Sequence, residues 1–275
     1  MKWGGPQAEF IGPEGARVLT VLYTPERAES RGCVLVVPPF AEEMNKSRRM
    51  SVELAGSLAK EGFAVVLVDL YGTGDSDGDF AEATWPRWIS DVLLTADWCR
   101  QRGHPVSGMI GIRLGCGLAI EAALKLDRPL RRMVFWQPSL DGARAFEQFL
   151  RLRVAASMFD PERKETVKDL RGRLAAGETL EVAGYEVSNE LATGICAMSA
   201  SKLAAPTAQF IEWIEVARES KPPPEPTVRA LESIQSAGAK ARYHQVIGEP
   251  FWTSTEIVVS PDLIAKTTEL FCEAG

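Results

Sequence analysis

Met109-Ile110-Gly111-Ile112-Arg113-Leu114-Gly115-Cys116-Gly117 is the stretch that decides the fold. Glycines two before and two after Arg113 let a strand turn sharply into a helix and lift the apex side chain above the sheet edge. The mostly apolar run Val106 to Ile112 supplies the strand, and Leu114 to Leu126, rich in Ala and Leu, is long enough for the helix. Such an elbow usually presents a nucleophile. Here the apex is Arg113, whose guanidinium stays protonated and has no acceptor lone pair, so it cannot attack a carbonyl as serine, cysteine or aspartate does.

Outward from the elbow, apolar runs alternate with helix-length segments in the order of a mostly parallel sheet covered on both faces. Val18 to Tyr23 and Cys33 to Val37 read as strands, Ser47 to Glu61 as an amphipathic helix, Phe63 to Val68 as a strand and Trp85 to Arg100 as a helix. Gly108 to Ile112 is the elbow strand and Leu114 to Lys125 its helix, followed by a strand from Arg132 to Gln137. The alternation stops between about Gly142 and Pro206, where helical segments (Ala145 to Met158, Lys164 to Ala176) flank Glu181 to Val187. It resumes with strands Gln209 to Val216 and Arg242 to Ile247 and helices Thr227 to Ala239 and Pro261 to Glu273. The expected architecture is α/β, an eight-stranded, mostly parallel sheet with a helical lid insertion: core 1–141 and 207–275, lid 142–206.

Composition bounds the function. With 275 residues, 45% apolar and 25% charged, the chain can bury a large core. A net charge of −6 and a pI near 5.2 argue against nucleic-acid binding. Five cysteines at wide spacings and two histidines suggest neither a disulfide framework nor a metal site, and no cofactor motif is present. No stretch approaches about 20 consecutive apolar residues and no apolar leader is seen, so a cytoplasmic protein without membrane insertion is expected. Homo-oligomerisation is left open.

In open α/β sheets the reactive groups sit beyond the carboxyl ends of the strands. A hydrolytic triad needs a histidine after the last strand. His104 precedes the elbow strand, and His244 lies inside the last strand, roughly 10 Å below its top. Glu219 is a loose match for the acid. The candidates are therefore Arg113 at the apex, Glu42 and Glu43 after Pro38-Pro39-Phe40-Ala41, and Glu249 after the last strand. Glu42 and Glu43 read equally well as the solvated first turn of the following helix, where carboxylates suit the helix dipole. An enclosed guanidinium needs a counter-charge, which these three glutamates can supply. Phe40, Leu114 and Trp252 are candidate ligand-binding residues, Trp136 is assigned to the core, and Ser76 reads as a turn and capping residue.

Asp69…Gly72-x-Gly74-x-Ser76, then Trp88…Asp91…Trp98 and the elbow frame, resemble the serine-hydrolase branch of the α/β-hydrolase fold over nearly the whole chain. More narrowly, PPFAEEMNKSRRM (38–50), GIRLG (111–115), FWQP (135–138), AGYEVS (183–188) and GEPFW (248–252) resemble the second type of exosortase A system-associated hydrolase. That bacterial group is named for its fold and for genes lying beside exosortase and exopolysaccharide-biosynthesis loci. The resemblance implies a hydrolase acting on an ester, thioester or acylated carrier. With Arg113 at the nucleophile position, such activity needs non-standard chemistry, a glutamate activating water while Arg113 stabilises an oxyanion. The alternative is a catalytically inactive binding or assembly protein whose Arg113 pocket holds an anionic ligand or simply stabilises the lid; the partner expected in either case is an unidentified small molecule or an acylated or anionic ligand.

Overall fold

In the computed structural model, residues 5–27, 29–157, 164–200 and 207–273 are described. Their order is β1 (Gln7–Ile11), β2 (Val18–Tyr23), β3 (Cys33–Val37), α1 (Glu42–Lys60), β4 (Ala64–Val68), a 3-10 turn (Phe80–Glu82), α2 (Trp85–Gln101), β5 (Val106–Ile112), α3 (Gly115–Ala123) and β6 (Leu130–Trp136). Then follow α4 (Gly142–Ser157), α5 (Val167–Ala175), β7 (Leu180–Val182), β8 (Tyr185–Val187), α6 (Asn189–Cys196), β9 (Ala208–Ala217), α7 (Glu225–Ser236), β10 (Lys240–Ile247) and α8 (Pro261–Cys272). Met158 and Pro206, at the ends of two expected segments, lie outside the described residues.

Eight strands form one sheet in the order β1-β2-β4-β3-β5-β6-β9-β10, and β7 and β8 form a separate hairpin. β1 and β2 run antiparallel to their neighbours; the other strands pair in parallel. All of β3 and nearly all of β4, β5 and β6 are buried, as apolar strands covered on both faces must be. One face packs under α2 and α3, with Trp88, Val92, Leu118 and Ile120. The other packs under α1 and α8, with Met50, Leu54, Leu58 and Leu270. Trp136 lies in the second layer, 1% exposed, its indole N–H donating to Thr267 Oγ1 at 2.9 Å.

Two local differences from the sequence reading have plain causes. β1 exposes four of its five residues, so it carries no apolar signal. α1 starts at Glu42 rather than near Ser47, because Ala41 adopts φ 50°, ψ −127° and turns the chain into the helix directly after Phe40.

The loop after β4 is held from α2. Asp91, 1% exposed, accepts from the Tyr71 amide at 2.9 Å and from Arg87 Nε at 2.8 Å, and the Trp88 indole donates to the Tyr71 carbonyl. Ser76 Oγ donates to Asp69 O at 2.6 Å and accepts from Leu19 N at 2.8 Å, stitching this loop to β2. The hydroxyl is committed to architecture.

Candidate functional site around Arg113

The elbow is built as its glycines require. A Cβ on Gly111 would lie 2.5 Å from Cys116 Cα, and one on Gly115 would lie 2.2 Å from Pro38 O, so strand, helix and the loop after β3 cross at backbone contact. Arg113 takes φ 55° at the apex. Its amide donates to Trp136 O at 2.9 Å, and its carbonyl accepts from the amides of Cys116 and Ser139, both at 3.2 Å. The left-handed turn is thus pinned from β6 as well as from α3.

Because β3 and β5 are adjacent, the loop after β3 delivers the first turn of α1 to the elbow. Arg113 Nε donates to both oxygens of Glu43, at 3.1 and 3.3 Å, with side-chain exposures of 18% and 17%. Nη1 donates to Gln137 O at 3.2 Å, and the guanidinium lies 5.2 Å from the Trp252 ring centre, within cation–π range. Among the described residues, no hydrogen bond reaches Nη2. Glu42 and Glu43 both occupy the first helical turn, but not as a solvated one: Glu43 turns inward to Arg113, and both border the space beside it.

That space is a cavity of about 170 Å³ lined by Phe40, Glu42, Glu43, Arg113, Leu114, Ser139 and Thr253, with Ala145, Gln148, Phe149 and Leu152 of α4 on its far side. Phe40 stacks edge-on against Phe149 at 4.8 Å, closing the inner end. Burial pushes the Glu42 and Glu43 carboxyls above the usual carboxylate range, and Arg113 opposes the rise in both. Glu42 Oε2 is buried without a hydrogen-bond partner among the described residues. Burial also raises the Cys116 thiol well above its ordinary value, which keeps it a poor nucleophile.

Two candidates stand elsewhere. Glu249 pairs with Arg218 at 2.8 Å, more than half exposed, because the turn closed by Thr253 N to Pro250 O swings Phe251 and Trp252 inward and leaves Glu249 outside. Trp252 is 6% exposed and backs the guanidinium instead of lining the cavity. Phe40 and Leu114 do line it.

His244 Nε2 lies 2.9 Å from Glu212 Oε2 at mid-sheet, within an ion-pair network with Arg132 and Arg242. Glu219 is exposed and pairs with Lys221. His104 sits ahead of β5, at the opposite edge of the sheet from the elbow. No His–acid pair therefore faces Arg113 among the described residues.

Gln137, Ser139 and the inner face of α4 escaped the sequence reading. Gln137 follows β6, so the strand-end rule covers it, and 145, 148, 149 and 152 carry helical one-face spacing. That spacing could have marked α4 as a wall.

Comparison with known proteins agrees with this architecture. Residues 14–148 match the X-Pro dipeptidyl-peptidase (S15) family. The mitochondrial palmitoyl-protein thioesterase ABHD10 of Bos taurus is 28% identical over 110 residues, which is 40% of this chain; the match spans about a third (34%) of the relative's length. Among solved structures, Est1E of Butyrivibrio proteoclasticus with ferulic acid bound superposes with a TM-score of 0.68 at 14% identity, covering 96% of this chain and 97% of that one. Mouse alpha/beta hydrolase domain-containing protein 10 gives 0.59 at 16% identity, over 96% and 98%. The chain has the α/β-hydrolase fold.

Proposed function

We propose that this chain binds an acyl-bearing small molecule in the Arg113 cavity and does not cleave it through an acyl-enzyme. The observation that carries this reading is a guanidinium with one nitrogen unengaged among the described residues, bordering a mostly apolar cavity, where a triad would otherwise sit. Nη2 suits a carbonyl oxygen, and Phe40, Leu114, Phe149 and Leu152 suit a hydrocarbon body. A cavity of 170 Å³ is about the size that houses one benzene ring, so a short acyl or aryl group fits and a whole palmitoyl chain does not. In this proposal residues 142–206 act as a lid, since α4 supplies one wall. The resemblance in the sequence supports a place in an exosortase and exopolysaccharide system, where acylated intermediates are the expected ligands.

Hydrolysis by non-standard chemistry is the second reading. The raised carboxyls favour it, because a base poised nearer neutrality accepts a proton from water more effectively. Turnover of p-nitrophenyl butyrate and of butyryl thioesters separates the two. The binding reading expects background rates for the wild type. Turnover abolished by both Arg113→Met and Glu43→Gln would establish the hydrolytic reading instead.

A further inference from the structure

We infer that Glu42 is a specificity residue: its charge makes the Arg113 cavity accept a neutral acyl compound, an ester or amide, and turn away the corresponding free carboxylate. The inference rests on the acyl-binding reading above and adds to it the charge class of the ligand.

A lone arginine in an apolar pocket would select anions. The charge balance here is different. Arg113 has already given Nε to Glu43, through both carboxylate oxygens, so its positive charge is met inside the site. Glu42 adds a second carboxylate to the same lining. Its Oε2 has neither water access nor a donor among the described residues, while its own backbone amide and the nearby Lys46 and Arg113 charges favour the ionised carboxylate. Lys46 acts on both glutamates but is absent from the lining and lies a helical turn further along α1.

Among the described residues, the charged groups bordering the cavity are therefore Arg113, Glu42 and Glu43. Their sum is negative with Glu42 ionised and zero with Glu42 protonated; in neither case is it positive. Ser139, Gln148 and Thr253, the remaining polar side chains of the lining, are neutral. With both glutamates ionised, an incoming carboxylate would meet two like charges against one guanidinium for one hydrogen bond at Nη2. A carbonyl oxygen takes the same hydrogen bond without the repulsion.

The test uses three probes that share the 4-fluorobenzoyl group: methyl 4-fluorobenzoate, 4-fluorobenzamide and 4-fluorobenzoate. Each is titrated against the full chain at neutral pH and followed by fluorine NMR. The ester and amide are expected to bind with similar Kd and the acid about tenfold more weakly or worse. In Glu42→Gln, which keeps the side chain's shape, the acid should approach the other two. Glu42→Ala serves as the second variant, with a melting curve to verify folding of each.

Acid binding as tight as ester binding in the wild type would overturn the inference while leaving acyl binding intact. A preference unchanged in both folded variants would overturn the assignment to Glu42. Failure of all three probes to bind would overturn the acyl-binding reading itself.

Discussion

Replacing Arg113 by Met removes the charge while keeping an unbranched side chain, so the left-handed backbone at the apex costs about the same in both proteins. What changes is the pairing with Glu43. Breaking a fully buried pair costs about 3–5 kcal/mol, and an exposed pair is worth under about 1 kcal/mol. With 18% and 17% exposure this pair lies between, and about 2 kcal/mol is expected for its loss. The Trp252 contact adds about 0.5 kcal/mol, partly returned by a thioether against the same ring. Arg113→Met should therefore destabilise by about 2–3 kcal/mol in urea denaturation followed by circular dichroism. Glu43→Gln should cost less, since an amide oxygen still accepts from Nε. The double variant then reports a coupling of about 1–2 kcal/mol. Glu249→Gln is the internal control and should show none, its partner being Arg218. A coupling between Arg113 and Glu43 below about 0.3 kcal/mol, or one as large for Glu249, would show that Glu43 is not the energetic partner of Arg113.

The native protein should resist fluorophosphonate labelling, because Ser76 Oγ is engaged on both sides and no histidine faces the elbow among the described residues; stoichiometric adduct by mass spectrometry would contradict this. Gly115→Ala should cost about 3 kcal/mol or more, since the new methyl meets backbone on the loop after β3, and a variant with wild-type melting would show that the crossing is looser than described. Burial raises the Glu42 carboxyl in the folded state, so its ionisation opposes folding above its raised value and is neutral to stability below pH 4.5, the ordinary glutamate value. Glu42→Gln should thus stabilise at pH 7.5, with the gain shrinking as pH falls and gone below about pH 4.5; a gain independent of pH would sink the electrostatic account. Ala41→Gly should be neutral or stabilising by about 1 kcal/mol, because relief of backbone strain outweighs glycine's entropy cost, and a loss above about 1 kcal/mol would show that Ala41 is not strained.

The sheet was readable where burial on both faces writes a continuous apolar run. Val18–Tyr23 and Cys33–Val37 coincide with the strands read from sequence, and the elbow strand is only extended by two residues at its start. The neighbourhood of Arg113 was readable as topology: adjacent parallel strands bring their terminal loops together, so Glu42 and Glu43 had to approach the apex. Choosing between them was not, because it depends on the phase of α1, which Ala41's backbone sets. Glu249 failed for a related reason. A strand-end rule places a residue near the site but says nothing of which way the next turn throws its side chain, and Pro250–Thr253 throws it outward.

Backbone strain ties the site together more tightly than any side chain. Four non-glycine residues among those described have positive φ, and three of them bear on the guanidinium: Arg113 itself, Gln137, whose carbonyl accepts from it, and Ala41, which precedes Glu42 and Glu43. Such conformations cost about 1–3 kcal/mol each and persist only where the surroundings over-determine them. Gln137 is fixed by its amide to Ile214 O at 2.8 Å and by its side-chain oxygen accepting from Val216 N at 2.8 Å, which leaves its carbonyl aimed at Nη1. Ala41 aims the first turn of α1, and Arg113 is held by Trp136 and Ser139. The three strained residues act on one object, the position of a charged side chain at the end of β5. A decayed hydrolase with no remaining use for its elbow would gain stability by relaxing any of them. Under the proposed binding function, that strain is the cost of holding the guanidinium beside the cavity, with Nη2 lacking a partner among the described residues.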